Sequence, residues 1–161
     1  MTNNNTLDRL FKDFKVFIDT SSLMIENQET AENLFNEIAE VSAKYNNKLV
    51  ISLTVIKELE KFLSHENPAI SARAKSALAI LHDHKTCYDV HGDRDDAFSD
   101  SVFLKVFQTH RLDYNLALIT QDHLLGKDIL HIAKQNNAGK DAKLIEVYTV
   151  DENGNLIPLS E

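Results

Sequence analysis

A single cysteine, Cys87, excludes an internal disulfide and fits a reducing compartment. No apolar run approaches the length that spans a bilayer. The opening stretch, MTNNNTLDRLFKDF, has neither the charged-then-apolar layout nor the small-residue cleavage site of a signal peptide. A cytoplasmic location without a membrane partner is therefore the expectation. The four glycines, Gly92, Gly126, Gly139 and Gly154, are isolated, so no glycine-rich loop can cradle phosphates. Basic residues are also in short supply: 17 Lys and Arg against 25 Asp and Glu give a formal net charge of −8. That balance ordinarily argues against nucleic acid, whose non-specific binding relies on Lys and Arg at the phosphates. Converging carboxylates change the argument, because a cation held between them reverses the local field.

The 161 residues suffice for one domain with a real core and are too few for two. Apolar (43%) and charged (26%) fractions are those of a globular chain. Short apolar runs recur at KVFID, ending in Asp19, and at LVIS (49–52), TCYDV (86–90), LALIT (116–120) and LIEVYTV (144–150). Such runs bounded by polar residues predict strands buried on both faces of a sheet. Helical patterns fill the gaps. LDRLFKDF predicts a short docking helix after a frayed polar tip. TAENLFNEIAEVSAKY stripes Leu34, Ile38 and Val41 behind a Thr30 cap, and TVIKELEKFL stripes Val55, Leu59 and Phe62 behind a Thr54 cap. Pro68 opens an Ala-rich helix, Ser99 caps SDSVFLKVFQTH, and QDHLLGKDILHIAKQ predicts a last helix interrupted at Gly126. Alternating strand and helix predicts an α/β domain over residues 1–161, with a mainly parallel sheet and helices on both faces. The tail VYTVDENGNLIPL predicts a hairpin around Asn153 and Gly154, with Pro158 confined to a sheet edge.

Ligands of open parallel sheets sit beyond the carboxyl ends of the strands. Several acids fall at that end. Asp19 terminates the first strand and is followed by Thr20, Ser21 and Ser22; Asp122 lies two residues past Thr120, where the fourth strand stops. Glu58 and Glu60 sit in the first two turns of the helix after Ser52, and Asp96 or Asp100 opens the helix that feeds the fourth strand. Each acid alone suits a cap or a first helical turn. Together at one edge, like charges cost stability unless a cation or protons offset them. Oxygen-only ligands favour Mg²⁺ or Mn²⁺.

The ordered series resembles the PIN domain (named for the PilT N-terminus), a family of metal-dependent nucleases. VFIDTSSLM resembles its first motif, LVISLTVIKELEKF its second, DSVFL its third and LALITQDHLL its fourth, together covering residues 15 to 150. The resemblance implies a five-stranded, mainly parallel sheet of order 3-2-1-4-5. It implies Asp19, Glu58, Asp100 and Asp122 as an acidic quartet, both metal-holding and catalytic, with Thr20, Ser21 and Thr120 as supporting hydroxyls. Periodicity does not choose Glu58 over Glu60; only the motif, with Glu immediately before Leu59, does. Asp96, four residues before Asp100, shares its face if the helix begins early, so the third position stays open between them. The implied activity is hydrolysis of phosphodiester bonds in single-stranded RNA by an Mg²⁺- or Mn²⁺-dependent endoribonuclease. If two ions are held, they sit roughly 3.5–4 Å apart, so the carboxylates must converge tightly. Whether such a nuclease is a toxin held by an antitoxin or other protein partner, a housekeeping enzyme, or a homodimer is open.

Other signals carry less. His82 and His84 point apart on a helix, and His123 beside Asp122 reads as exposed. DENGN and GDRDDAF lack the glycine and distal glutamate of a calcium loop. A haloacid-type phosphatase needs a second Asp where Ser21 stands, and Cys87, inside an apolar strand, reads as inert. Lys57, Lys61, Lys105, Arg111 and Lys127 are the candidates to steer a phosphate backbone, and none forms a run. Two other readings remain: a catalytically silent module that binds RNA or protein, and a phosphoacceptor signalling domain. The latter normally pairs acids at its first strand, where this chain has a single acid before Thr20.

Overall fold

The apolar runs become short strands side by side, and the amphipathic stretches become helices against them. The computed structural model describes residues 2–92, 99–134 and 143–160, with the side chains of residues 2–4 and 99–101 outside that description. In chain order the elements are α1 (Thr2–Asp13), β1 (Lys15–Ile18), α2 (Thr20–Leu23), α3 (Gln28–Tyr45), β2 (Leu49–Ser52), α4 (Leu53–Phe62), α5 (Pro68–Asp83), β3 (Tyr88–His91), α6 (Ser99–His110), β4 (Leu116–Ile119), α7 (His123–Ala133), β5 (Ile145–Val150) and β6 (Leu156–Pro158). No helix among the described residues is long and apolar enough to cross a membrane.

The strands form one sheet in the order β3-β2-β1-β4-β5-β6, with every neighbouring pair parallel except β5 and β6. The expected five strands are therefore six. The expected order is extended at one edge, where the C-terminal hairpin folds β6 back antiparallel on β5. Gly154 turns that hairpin at φ 85, while the Asp151 carboxylate accepts from the backbone N–H groups of Asn153 and Asn155 at 2.9 and 2.8 Å. Pro158, which cannot donate to a ladder, lies in this edge strand.

Right-handed crossovers decide which face each helix takes. The chain moves one way across the sheet from β1 to β2 to β3, which puts α3, α4 and α5 on one face. It then returns from β3 to β4 and on to β5, which puts α6 and α7 on the other. Phe17 of β1 shows the second face directly, its ring 6.5 Å from Phe103 and 5.2 Å from Phe107 of α6. On the first face, α1 packs beside α3 and buries Leu7, Leu10 and Phe11 completely. At about 1.5–3 kcal/mol for each such side chain, this helix is part of the core rather than an appendage. Its Arg9 guanidinium grips Glu146 of β5 at 2.6 and 2.7 Å and lies 5.0 Å from the Phe14 ring. The helix also begins at Thr2, earlier than the apolar pattern from Leu7 suggests.

Four local expectations are corrected. Asn27, not Thr30, caps α3, its side chain accepting from the N–H groups of Glu29 and Thr30. The Thr30 hydroxyl instead donates to the Glu152 carbonyl at 3.0 Å and docks the hairpin. Ser52, not Thr54, caps α4. Helix α7 runs unbroken through Gly126, where a Cβ would stand 2.4 Å from Leu159 Cδ2 and 3.2 Å from Val147 Cγ1. This glycine marks a close approach of helix to sheet, not a break. Cys87 closes a 3₁₀ turn (Lys85–Cys87) just before β3 instead of lying within the strand. It is buried, and that burial pushes its thiol up to about 11.

Candidate active site

Strand order reverses between β1 and β4, because β1 continues towards β2 on one side while β4 continues towards β5 on the other. The crevice beyond the carboxyl ends of these two strands is where an open parallel sheet binds its ligands. Ile18 pairs with Ile119, so the residues that follow them, Asp19 and Thr120, leave the sheet side by side. The Asp19 N–H donates to the Ile119 carbonyl at 3.2 Å and the Thr120 N–H to the Tyr148 carbonyl at 2.9 Å, which fixes both backbones.

Asp19 is 4% exposed, and its burial is compensated by hydrogen bonds. Oδ1 accepts from the Ser21 hydroxyl at 2.8 Å and the Ser22 N–H at 3.2 Å; Oδ2 accepts from the Thr120 hydroxyl at 2.6 Å. Asp19 thereby caps α2, which turns the chain over the strand end. Thr120 Oγ1 also accepts from the Asp122 N–H at 3.0 Å, and Ser21 Oγ accepts from the Gln121 N–H at 2.9 Å. Asp122 caps α7, with Oδ1 accepting from Leu124 and Leu125 at 3.0 and 3.1 Å. From the third direction, the Thr20 hydroxyl donates to Glu58 Oε1 of α4 at 2.7 Å. The hydroxyls named as supporting residues thus each hold a carboxylate in place.

These groups line one cleft of about 350 Å³: Asp19, Thr20, Ser21 and Glu58 with Asp122, walled on the α4 side by Met24 and Phe62. Glu58 is half-buried while Glu60 is exposed, and only Glu58 lines the cleft. Of the two glutamates between which helical periodicity does not choose, Glu58 is the one placed at this cleft. Asp100 stands in the first turn of α6, its side chain outside the described residues, and Asp96 lies outside them altogether. Met24 was not singled out from the sequence, and Phe62 was read only as part of an apolar stripe. The available signal was the i, i+4 spacing of Glu58 and Phe62, which puts both on one helix face.

The donor chemistry suits a hard divalent cation. Every polar group lining the cleft is an oxygen donor, and Glu58 Oε2 and Asp122 Oδ2 accept no hydrogen bond among the described residues. Among the described residues, no three His, Cys, Asp or Glu side chains form a ready ligand cluster. Mg²⁺ does not require one, since it keeps several waters and is commonly held by one or two carboxylates with substrate phosphate.

Of the basic residues that could steer a polyanion, Arg111 is corrected. It follows α6 at the opposite edge of the sheet, is buried, and donates to the Ile132 carbonyl. Lys61 and Lys127 are exposed, and Lys105 lines a separate groove against α6. Comparison with family models gives no match, and comparison with curated proteins gives none.

Proposed function

We propose that the chain is a PIN-like, Mg²⁺- or Mn²⁺-dependent endoribonuclease acting on single-stranded RNA. The observation that carries the reading is the meeting of Asp19, Glu58 and Asp122, from three separate segments, in one cleft at the reversal point of the sheet. Asp19, Glu58, Asp100 and Asp122 would hold the cation. When bound, it supplies Lewis-acid stabilisation of charge on the phosphate and lowers the pKa of water.

The chain's own contribution is orientation. Thr120 and Ser21 hold both Asp19 oxygens, Thr20 fixes one Glu58 oxygen, and the first turn of α7 fixes one Asp122 oxygen. The second oxygens of Glu58 and Asp122 are left for outer ligands. No side chain has to act as general base. A phosphoacceptor role fits less well, because a buried Asp19 with both oxygens engaged is a poor nucleophile.

The test is cleavage of a structured RNA pool by full-length chain with chelator, and with Mg²⁺ or Mn²⁺ restored. Chelation should abolish cleavage and either ion should restore it. A chain that neither binds Mn²⁺ nor cleaves would replace the nuclease reading with a binding module.

A further inference from the structure

A groove runs down the sheet face between α6 and β2. It has two lobes of about 220 and about 350 Å³, joined through the shared residues Phe17, Val50, His91, Val106 and His110. Its upper lobe opens at Ser52 and Gly92, at the sheet edge that carries the carboxylate cleft; its lower lobe ends at Lys15, Tyr114 and Leu116, at the opposite edge. Although the chain has 25 acidic residues against 17 Lys and Arg, no carboxylate lines either lobe among the described residues. The acid nearest by register, Asp89 opposite Val50, is paired with Lys48 at 3.8 Å. The charged side chains that do line the groove are Lys15 and Lys105.

We infer that this groove binds single-stranded RNA, bases against its ring-bearing floor and backbone along Lys105 and Lys15. The inference rests on the nuclease reading only for the identity of the strand. Two features favour a polynucleotide over an acidic amphipathic peptide. Five of the lining side chains carry rings (Phe17, His91, Phe103, His110 and Tyr114), and His91, His110 and Tyr114 are exposed. His110 and Tyr114 also sit together, ring centroids 6.2 Å apart and planes tilted by 54°, and exposed rings such as that of Tyr114 are what unpaired bases stack on. In an acidic chain, a concave face whose described lining carries no carboxylate is where a polyanion meets less repulsion.

The experiment is fluorescence anisotropy of an end-labelled twelve-residue oligouridylate with full-length chain in EDTA, across a salt series. Without metal, binding is read separately from cleavage. Tyr114→Ala should weaken binding about fivefold or more, the loss of one stacking contact. Lys105→Gln should lower the slope of log affinity against log salt by about 0.7, one phosphate contact on a single strand. Lys75→Gln and Lys85→Gln, exposed positions that line neither lobe nor the carboxylate cleft, should bind as wild type. The groove is excluded if wild type does not bind at low salt, if both groove variants bind as wild type, or if the control variants lose as much. Binding of a Leu/Glu-rich peptide in place of the oligonucleotide would also exclude it and assign the groove to a protein partner. A chain that binds through the groove yet cleaves nothing removes the nuclease reading and keeps the groove. One that cleaves while the groove variants bind unchanged does the reverse.

Discussion

The Thr120 hydroxyl donates to Asp19 Oδ2 at 2.6 Å and, through its lone pair, accepts from the Asp122 N–H at 3.0 Å. One fully buried side chain therefore couples the ends of β1 and β4 to the first turn of α7. Thr120→Val keeps the shape and removes both bonds, leaving two groups short of a partner. It should cost about 1–3 kcal/mol of stability. Thr120→Ser, which retains the hydroxyl, should lose only packing. Urea unfolding of the two variants decides: equal losses would mean that the hydroxyl contributes nothing beyond its neighbours' packing.

Glu58 and Glu60 provide an internal comparison, since they are two residues apart on one helix and only Glu58 lines the cleft. Glu58→Gln should weaken Mn²⁺ binding at least about tenfold, the loss typical of disturbing even an outer partner of a metal ligand. Glu60→Gln should leave it unchanged. Titration calorimetry on the two variants separates them, and equal affinities would remove Glu58 from the ligand set.

These contacts also show where the sequence was readable. Strand and helix placement followed from period and length, because both are local. The caps at Thr30 and Thr54 were misassigned because several candidate caps stood close together and only tertiary context chose among them. Thr30 is drawn to a carbonyl 122 residues away. Gly126 read as a break because its reason, the approach of Leu159 and Val147, is not local either. At the site, Asp19 and Asp122 were legible as strand-end acids. Glu58 was separable from Glu60 only by resemblance to a motif, since the two flank the same apolar stripe.

Acid should loosen the N-terminal helix from the sheet. Arg9, hydrogen-bonded to Glu146, holds that carboxyl below its ordinary value of 4.5, with help from the Tyr148 hydroxyl at 2.7 Å. A depressed carboxylate contributes stability that is present above its unfolded pKa and is lost as pH falls through its folded one. The loss therefore falls below pH 4.5. Tyr148 works in the opposite sense: burial raises it from 10 to about 12, so its contribution is lost as pH climbs through that interval. Glu146→Gln should flatten the acid limb of a stability–pH curve. An acid limb identical to that of wild type would contradict the assignment.

The central claim is that carboxylates at the reversal point of the sheet cleave RNA through a divalent cation. The direct measurement is the rate of RNA cleavage in Mn²⁺ by wild type, Asp19→Asn, Asp100→Asn and the double variant, all purified identically. Each single change should remove most of the rate, because charge developing on the phosphate then lacks a well-placed cation. The double change should cost little more than either alone, since groups acting as a unit are not additive. Asp96→Asn should be mild. Cleavage that persists in Asp19→Asn at the wild-type rate would contradict the account.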